Sequence, residues 1–159
     1  MEKVYKIFTT VCFVLIVGIF LISKFYPTGV TEDELKGYLE KISPMAQETS
    51  SIMQQNFSIL SLNPSTARTP ANFENISAAK YQFLAYSEEM GKMEVPSGLK
   101  KYHKEMKSAF SEYSRGFELV EKAFEEKNDT KMSQANDVLN KAATQFFNTS
   151  QELVKVKTE

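Results

Sequence analysis

The chain carries one cysteine, one histidine and no tryptophan, with only 6 glycines and 5 prolines among 159 residues. Cys12 lies inside an apolar run, so the remainder has no disulfide and no thiol chemistry. An apolar core alone must hold it together. A lone His103 works against a zinc or haem centre, which draws on a second histidine, a cysteine or a Glu-x-x-His pair. Lys100 stands three residues before it, and no C-x-x-C-H occurs. Missing tryptophan carries no functional message. The sequence also lacks a glycine-rich phosphate loop, G-x-S-x-G, H-E-x-x-H and a calcium-loop pattern, so no familiar catalytic motif names a reaction. Outside the apolar run, no alternating Val/Ile/Thr stretch bounded by turns suggests a strand.

Neither sign of charge is in excess: 19 basic residues stand against 20 acidic, a formal net charge of −1. With Lys3, Lys6, Lys24 and Glu2 set aside, 16 basic residues face 19 acidic ones, leaving −3 on the rest. A nucleic-acid partner wants a basic face, so none is expected. No block of like charge reaches the length of an interaction tail.

What the sequence does have is the apolar run Val4 to Ile22, in which the stretch Ile7 to Ser23 holds no charge. A bilayer core needs about 20 apolar residues as a helix, with a lower limit of roughly 17. The flanks offer no pair of small residues for signal cleavage, and Thr10-Val11 before Cys12 do not suit lipid attachment. A retained anchor partnered with the lipid bilayer is therefore expected. Lys3 and Lys6 precede the run, whereas Lys24 follows it alone, ahead of Glu32-Asp33-Glu34. That asymmetry places the N-terminus in the cytoplasm and the bulk of the chain outside the cell membrane. The organisation is then a tail and anchor over residues 1–24, a linker over 25–30 and an extracytoplasmic bundle over 31–157.

The bundle follows from four amphipathic stripes. Thr31-Glu32-Asp33-Glu34 has the spacing of a capping box, and Leu35, Leu39, Ile42, Ala46, Thr49, Met53, Asn56 and Leu60 recur at spacings of three and four. Pro44 interrupts this stripe and is expected to kink or divide the helix. A loop over 63–70 precedes a second helix with Thr69 as cap and Pro70 at its first position. Its stripe is Phe73, Ile76, Lys80, Phe83, Ser87 and Met90, and Val95-Pro96 ends it. Leu99, Tyr102, Met106, Phe110, Tyr113, Phe117, Val120 and Phe124 mark the third helix. Asn128 is expected as its left-handed end, with Asp129 capping the fourth. That helix carries Met132, Ala135, Leu139, Ala142, Phe146, Thr149, Leu153 and Val156. Short connections and one stripe per helix imply an all-α, antiparallel up-down-up-down four-helix bundle.

Candidate functional residues are few. His103 is expected exposed or at the bundle edge. With Met90, Met93 and Met106 it forms a soft-ligand set suited to monovalent copper, although Met90 and Met106 fall on core stripes, where methionine is ordinary filler. The carboxylates Glu118/Glu121 and Glu125-Glu126 do not converge as an acid/base pair would, and neighbouring lysines favour solvated pairing. Thr49, Asn56, Lys80 and Thr149 put polar groups on apolar stripes, where they set register or line a small polar cavity. Four N-x-S/T sequons occur, of which Asn128, Asn75 and Asn148 are candidate glycosylation acceptors; Asn56 lies on a stripe. No catalytic residue, cofactor site or metal site is assigned.

The second half (Val95-Pro96, Leu99, His103, Met106, Tyr113, Gly116, Val120, then Asn136, Leu139, Ala142) resembles the helical hairpins of small prokaryotic membrane-anchored or lipid-anchored extracytoplasmic proteins of unassigned function. The overall plan is similar to the four-helix ligand-sensing ectodomains of chemoreceptors, without their second span or signalling domain. These likenesses imply a tethered interaction or accessory module that is not an enzyme, acting on an unidentified protein partner or on its own copies. The alternative is a small-ligand-binding, sensor-like ectodomain.

Overall fold

The computed structural model describes residues 29–62 and 64–156. The expected membrane span over residues 4–22 lies outside them. Among the described residues no helix is long and apolar enough to cross a membrane.

Four long helices form: α1 (Glu32–Leu60), α2 (Pro70–Lys92), α3 (Lys100–Glu126) and α4 (Asp129–Val154), and the described residues contain no strand. Their starts are written in local chemistry. Thr31 sits in extended backbone, its hydroxyl accepts from the Glu34 amide, and the Glu34 carboxylate accepts from the Thr31 amide at 2.8 Å. Two amides without helical partners are thereby satisfied reciprocally. The same bonds hold the Glu34 carboxyl below its ordinary range. Thr69 caps α2 through the Asn72 amide, with Pro70 in the first turn as expected. Within the expected loop the chain adds a single helical turn, Pro64–Ala67, whose last carbonyl accepts from Asn72 Nδ2 at 2.8 Å. A 3-10 turn, Ser97–Leu99, feeds α3 and buries Leu99 completely.

Of the kink or division expected at Pro44, the division does not occur: helix α1 continues through it. Buried Ile42, Met45 and Ala46 hold both sides of the proline in the core, while its ring is exposed. Packing thus offsets the lost amide bond, and a nearby carbonyl, that of Leu39, takes a hydrogen bond from Ser43 Oγ at 2.7 Å. At the α3–α4 turn it is Lys127, not Asn128, that takes the left-handed conformation, with φ 50° and ψ 47°. Asn128 stays extended and caps α4 by accepting from the Lys131 amide at 3.0 Å. Its own amide closes α3 by donating to Ala123 O at 2.9 Å. Asparagine is as good a cap as aspartate, and using it here shortens the turn by one residue.

Cross-helix contacts fix the directions. Lys80 meets Glu121 while Tyr86 meets Phe110, and Gly116 lies against Leu139 while Glu105 meets Thr149, so α3 runs antiparallel to α2 and α4. Tyr38 lies by His103, past the end of α2, while Glu48 meets Tyr86, so α1 runs antiparallel to α2. The Asn136 side chain reaches the carbonyl of Leu60 and brings α4 back beside α1. The core centres on Phe83, whose ring stacks on Tyr113 (centroids 4.6 Å apart) and Phe117 (5.7 Å). Phe110 continues the cluster to Phe146 on α4 at 5.6 Å. Offset aromatic stacking adds about 0.5–1.5 kcal/mol per pair beyond area burial. Small residues on α4 (Ala135, Ala142, Ala143) are buried in the same core, where small side chains beside large ones let layers interdigitate.

The helices are not equally close. The backbone of α3 approaches those of α2 and α4 extensively, whereas α1 comes near α2 only sparsely. The α1 stripe is nonetheless buried in its own bundle, from Leu35 and Tyr38 through Ile42 and Met53 to Ile59. Bulky side chains fill the wider seam.

Candidate functional site

The polar residues on the apolar stripes have different fates, decided by what each can reach. Thr49 is fully buried and donates to the Met45 carbonyl one turn back at 2.7 Å, so it needs nothing from another helix. Asn56 uses its amide nitrogen in the same way on Ile52 O at 2.9 Å, but its Oδ1 is buried with no hydrogen-bond partner among the described residues. Lys80 reaches across from α2 to Glu121 on α3 at 2.5 Å, and Ser77 one turn earlier donates to the other carboxylate oxygen. Glu121 is therefore a buried partner and not the solvated surface carboxylate that its spacing from Lys122 and Lys127 implied. Glu118 does follow the surface pattern, pairing with Lys122 at 2.6 Å. Burial lowers the Lys80 pKa, but the Glu121 carboxylate outweighs it and raises the pKa on balance. The trio locks the register of α2 against α3, one of the two roles expected for stripe polar residues.

Thr149 borders an open surface groove and not the small cavity expected. Its hydroxyl meets the Glu105 carboxylate at 3.3 Å, and Gln145 donates to the Glu105 carbonyl at 3.0 Å, joining α4 to α3. These side chains floor an open groove of about 630 Å³, walled by Asp137, Lys141, Asn148 and Glu152 among others. Lys101 stands at its end, bonded to Glu152 at 3.0 Å. The groove offers carboxylates, amides, hydroxyls and a cation on one rigid face. Nothing in the sequence spacing marks it, because Glu105 and Thr149 are 44 positions apart.

His103 sits at the seam where α1, the end of α2 and the start of α3 meet, half-buried as a bundle-edge residue. Its Nδ1 lies 3.4 Å from the Tyr38 hydroxyl, and the two rings meet edge-on at 6.0 Å. Burial pushes its pKa below the usual value; the nearby Met90 backbone opposes this and the Lys107 ammonium assists it. Of the methionines grouped with it, Met90 and Met106 are core residues and Met93 is half-buried. No group of three His, Cys, Asp or Glu side chains that could hold a metal occurs among the described residues.

The sequons also separate. Asn75 and Asn148 are exposed on helix faces, and Asn128 is half-exposed with its Oδ1 engaged as a cap. Asn56 is buried at 3% exposure. On α2 the outer face exposes Tyr81 (61%) and Leu84 (43%), the two large apolar side chains most open to water on the long helices. Lys80 covers one face of the Tyr81 ring at 4.4 Å.

Fold and seams together define an all-α four-helix bundle, with one buried polar trio joining α2 to α3. In comparison with known proteins, the chain matches no family model, no curated protein and no solved structure.

Proposed function

We propose that the chain is a single-pass, membrane-tethered helical bundle that works without catalysis, as an interaction or accessory module outside the cell. The apolar run Val4 to Ile22 is its anchor, with the N-terminus in the cytoplasm. The observation that carries the interaction reading is the outer face of α2. A rigid helix holds Tyr81 and Leu84 in solvent, although the stripe opposite them is already buried in the core. Rigid aromatic side chains give contact area at low entropic cost, and tethering raises the effective concentration of any partner in the same membrane. The partner is a protein at the membrane surface or a second copy of the chain.

A photo-cross-linker placed at Tyr81 in native membranes tests this. The expected result is one discrete adduct that disappears when Leu84 becomes serine. An absence of adducts at this face, with no oligomer detected by general cross-linking, would refute it. Protease added outside intact cells is expected to digest the bundle.

The second reading, a small-ligand ectodomain, draws on the Glu105–Thr149 groove. It forecasts a rise in melting temperature with amino acids, small carboxylates or metal ions, abolished by Thr149→Val. The same titration with monovalent copper checks the Met/His set.

A further inference from the structure

The solvent faces of the four long helices differ in one respect. Among the described residues, α1, α3 and α4 expose no large apolar side chain, whereas α2 exposes Tyr81 and Leu84. Along the middle of that face run Glu74, Ala78, Tyr81, Ala85, Glu88 and Lys92, at alternating spacings of four and three, and all six are exposed. Such spacing keeps the side chains in one seam about 27 Å long, of the kind through which two helices pack. Glu74, Glu88 and Lys92 enter no ion pair among the described residues, so the bundle that carries these charges does not use them.

The order of the six residues limits what can cover them. An isologous contact requires a surface complementary to itself under a two-fold rotation. With the axis level with Phe83, an antiparallel copy of the seam sets Glu74 opposite Lys92 and Tyr81 opposite Ala85, each twice. The ring then packs on a small side chain, which lets the two helices approach closely, and both ends of the seam join opposite charges. Glu88 falls opposite Ala78, where its carboxylate meets no like charge. Parallel pairing fails on the same residues, because it sets Glu74, Glu88 and Lys92 each against its own copy. Charges at an exposed seam select orientation more than they add affinity.

We propose that the outer face of α2 docks antiparallel on the same face of a second copy of this chain, with Glu74–Lys92 pairs at both ends and Tyr81 seated over Ala85. This rests on the interaction reading of that face and commits it to one partner. The N-terminal ends of the two α1 helices then lie at opposite ends of the pair. Chains tethered in one bilayer therefore dock with their helices along its surface.

Cross-linking of the full chain in native membranes, in a Cys12→Ser background, tests the orientation. Chains with Glu74→Cys and chains with Lys92→Cys, tagged differently and expressed together, are expected to give a mixed dimer with a short bismaleimide. Its yield should be several-fold above the dimer from either variant alone. Glu74→Lys should lower dimer capture by a photo-cross-linker at Tyr81 several-fold, and adding Lys92→Glu to the same chain should restore it. Absence of the mixed dimer, an equal yield from either variant alone, or failure of the second charge reversal to rescue overturns the proposal. Should the Tyr81 cross-linker capture another protein and no second copy, the self-docking is overturned while the interaction reading of α2 stands. If it captures nothing, both fall.

Discussion

Replacing Gly116 by alanine opposes two well-measured effects, and the geometry says which wins. In an open helix interior the change gains about 1 kcal/mol, since glycine loses more backbone freedom on folding. At Gly116 the new Cβ would lie 2.5 Å from Leu139 Cδ2 and 2.7 Å from its Cγ, with the Leu139 backbone nitrogen at 3.4 Å. Leu139 is 3% exposed and cannot swing into solvent. Inserting a methyl into a filled core costs about 1–3 kcal/mol, and contacts this far inside van der Waals separation belong near the upper end. The balance is a destabilisation of about 1–2 kcal/mol, or a melting point lower by about 3–8 °C. Gly37 provides the control, since a Cβ there meets nothing within 4 Å, and Gly37→Ala should stabilise by about 1 kcal/mol. Urea denaturation followed by circular dichroism at 222 nm measures both. In a Leu139→Ala background the Gly116→Ala penalty should fall away, because the truncation removes the colliding atoms. A Gly116→Ala protein as stable as the wild type would refute the close approach of α3 and α4.

Other substitutions separate the remaining contributions. Lys127→Gly should stabilise by about 1 kcal/mol, because the left-handed backbone at that position strains any side chain, and thermal melts would show it. Asn56→Leu removes a buried acceptor that has no partner and should stabilise by about 1–2 kcal/mol in the same assay; a loss would mean that Oδ1 is satisfied in solution. Lys80→Met strands Glu121 in the α2–α3 seam and should cost roughly 2 kcal/mol at neutral pH, below the 3–5 kcal/mol of a fully buried pair since the two side chains are 18% and 10% exposed. Because the pair raises the Lys80 pKa, its stabilisation is complete below about pH 10.4 and is lost as pH rises through the folded-state value. The gap between wild type and Lys80→Met should therefore close under strongly alkaline conditions.

The parts of this fold that could be read from the chain are the local ones. Capping at Thr31 and Thr69, the proline at 70 and the break near 128 each depend on a few consecutive residues, and the apolar stripes depend only on helical period. The errors arose where tertiary contact overrides local preference. Pro44 does not divide α1, because core packing on either side holds the helix together. Glu121 could not be told from Glu118 by spacing to a lysine; only the docking of α2 shows that Lys80 claims it. Lys80 on an apolar stripe was the available signal, since a charge there needs a partner. The candidate sites were less legible still. Tyr38 and His103 are 65 positions apart, and the groove residues come from two helices whose relative rotation no periodicity specifies.

The looseness of α1 also bears on the order in which the protein takes shape during synthesis. Helix α1 leaves the ribosome first, yet the seam that receives it is made by α2, α3 and α4. At about 5–20 residues per second, the roughly 90 residues from the end of α1 to the end of α4 take about 5–20 s to appear. Throughout that interval Leu35, Ile42, Met53 and Ile59 have no completed core to enter. The α2–α3 and α3–α4 hairpins, by contrast, close on neighbours made only moments before, the kind of local contact that forms fastest. Docking of α1 is then expected to be the last step in assembling the four helices, and among the described residues its stripe is the one left longest to shielding by a chaperone.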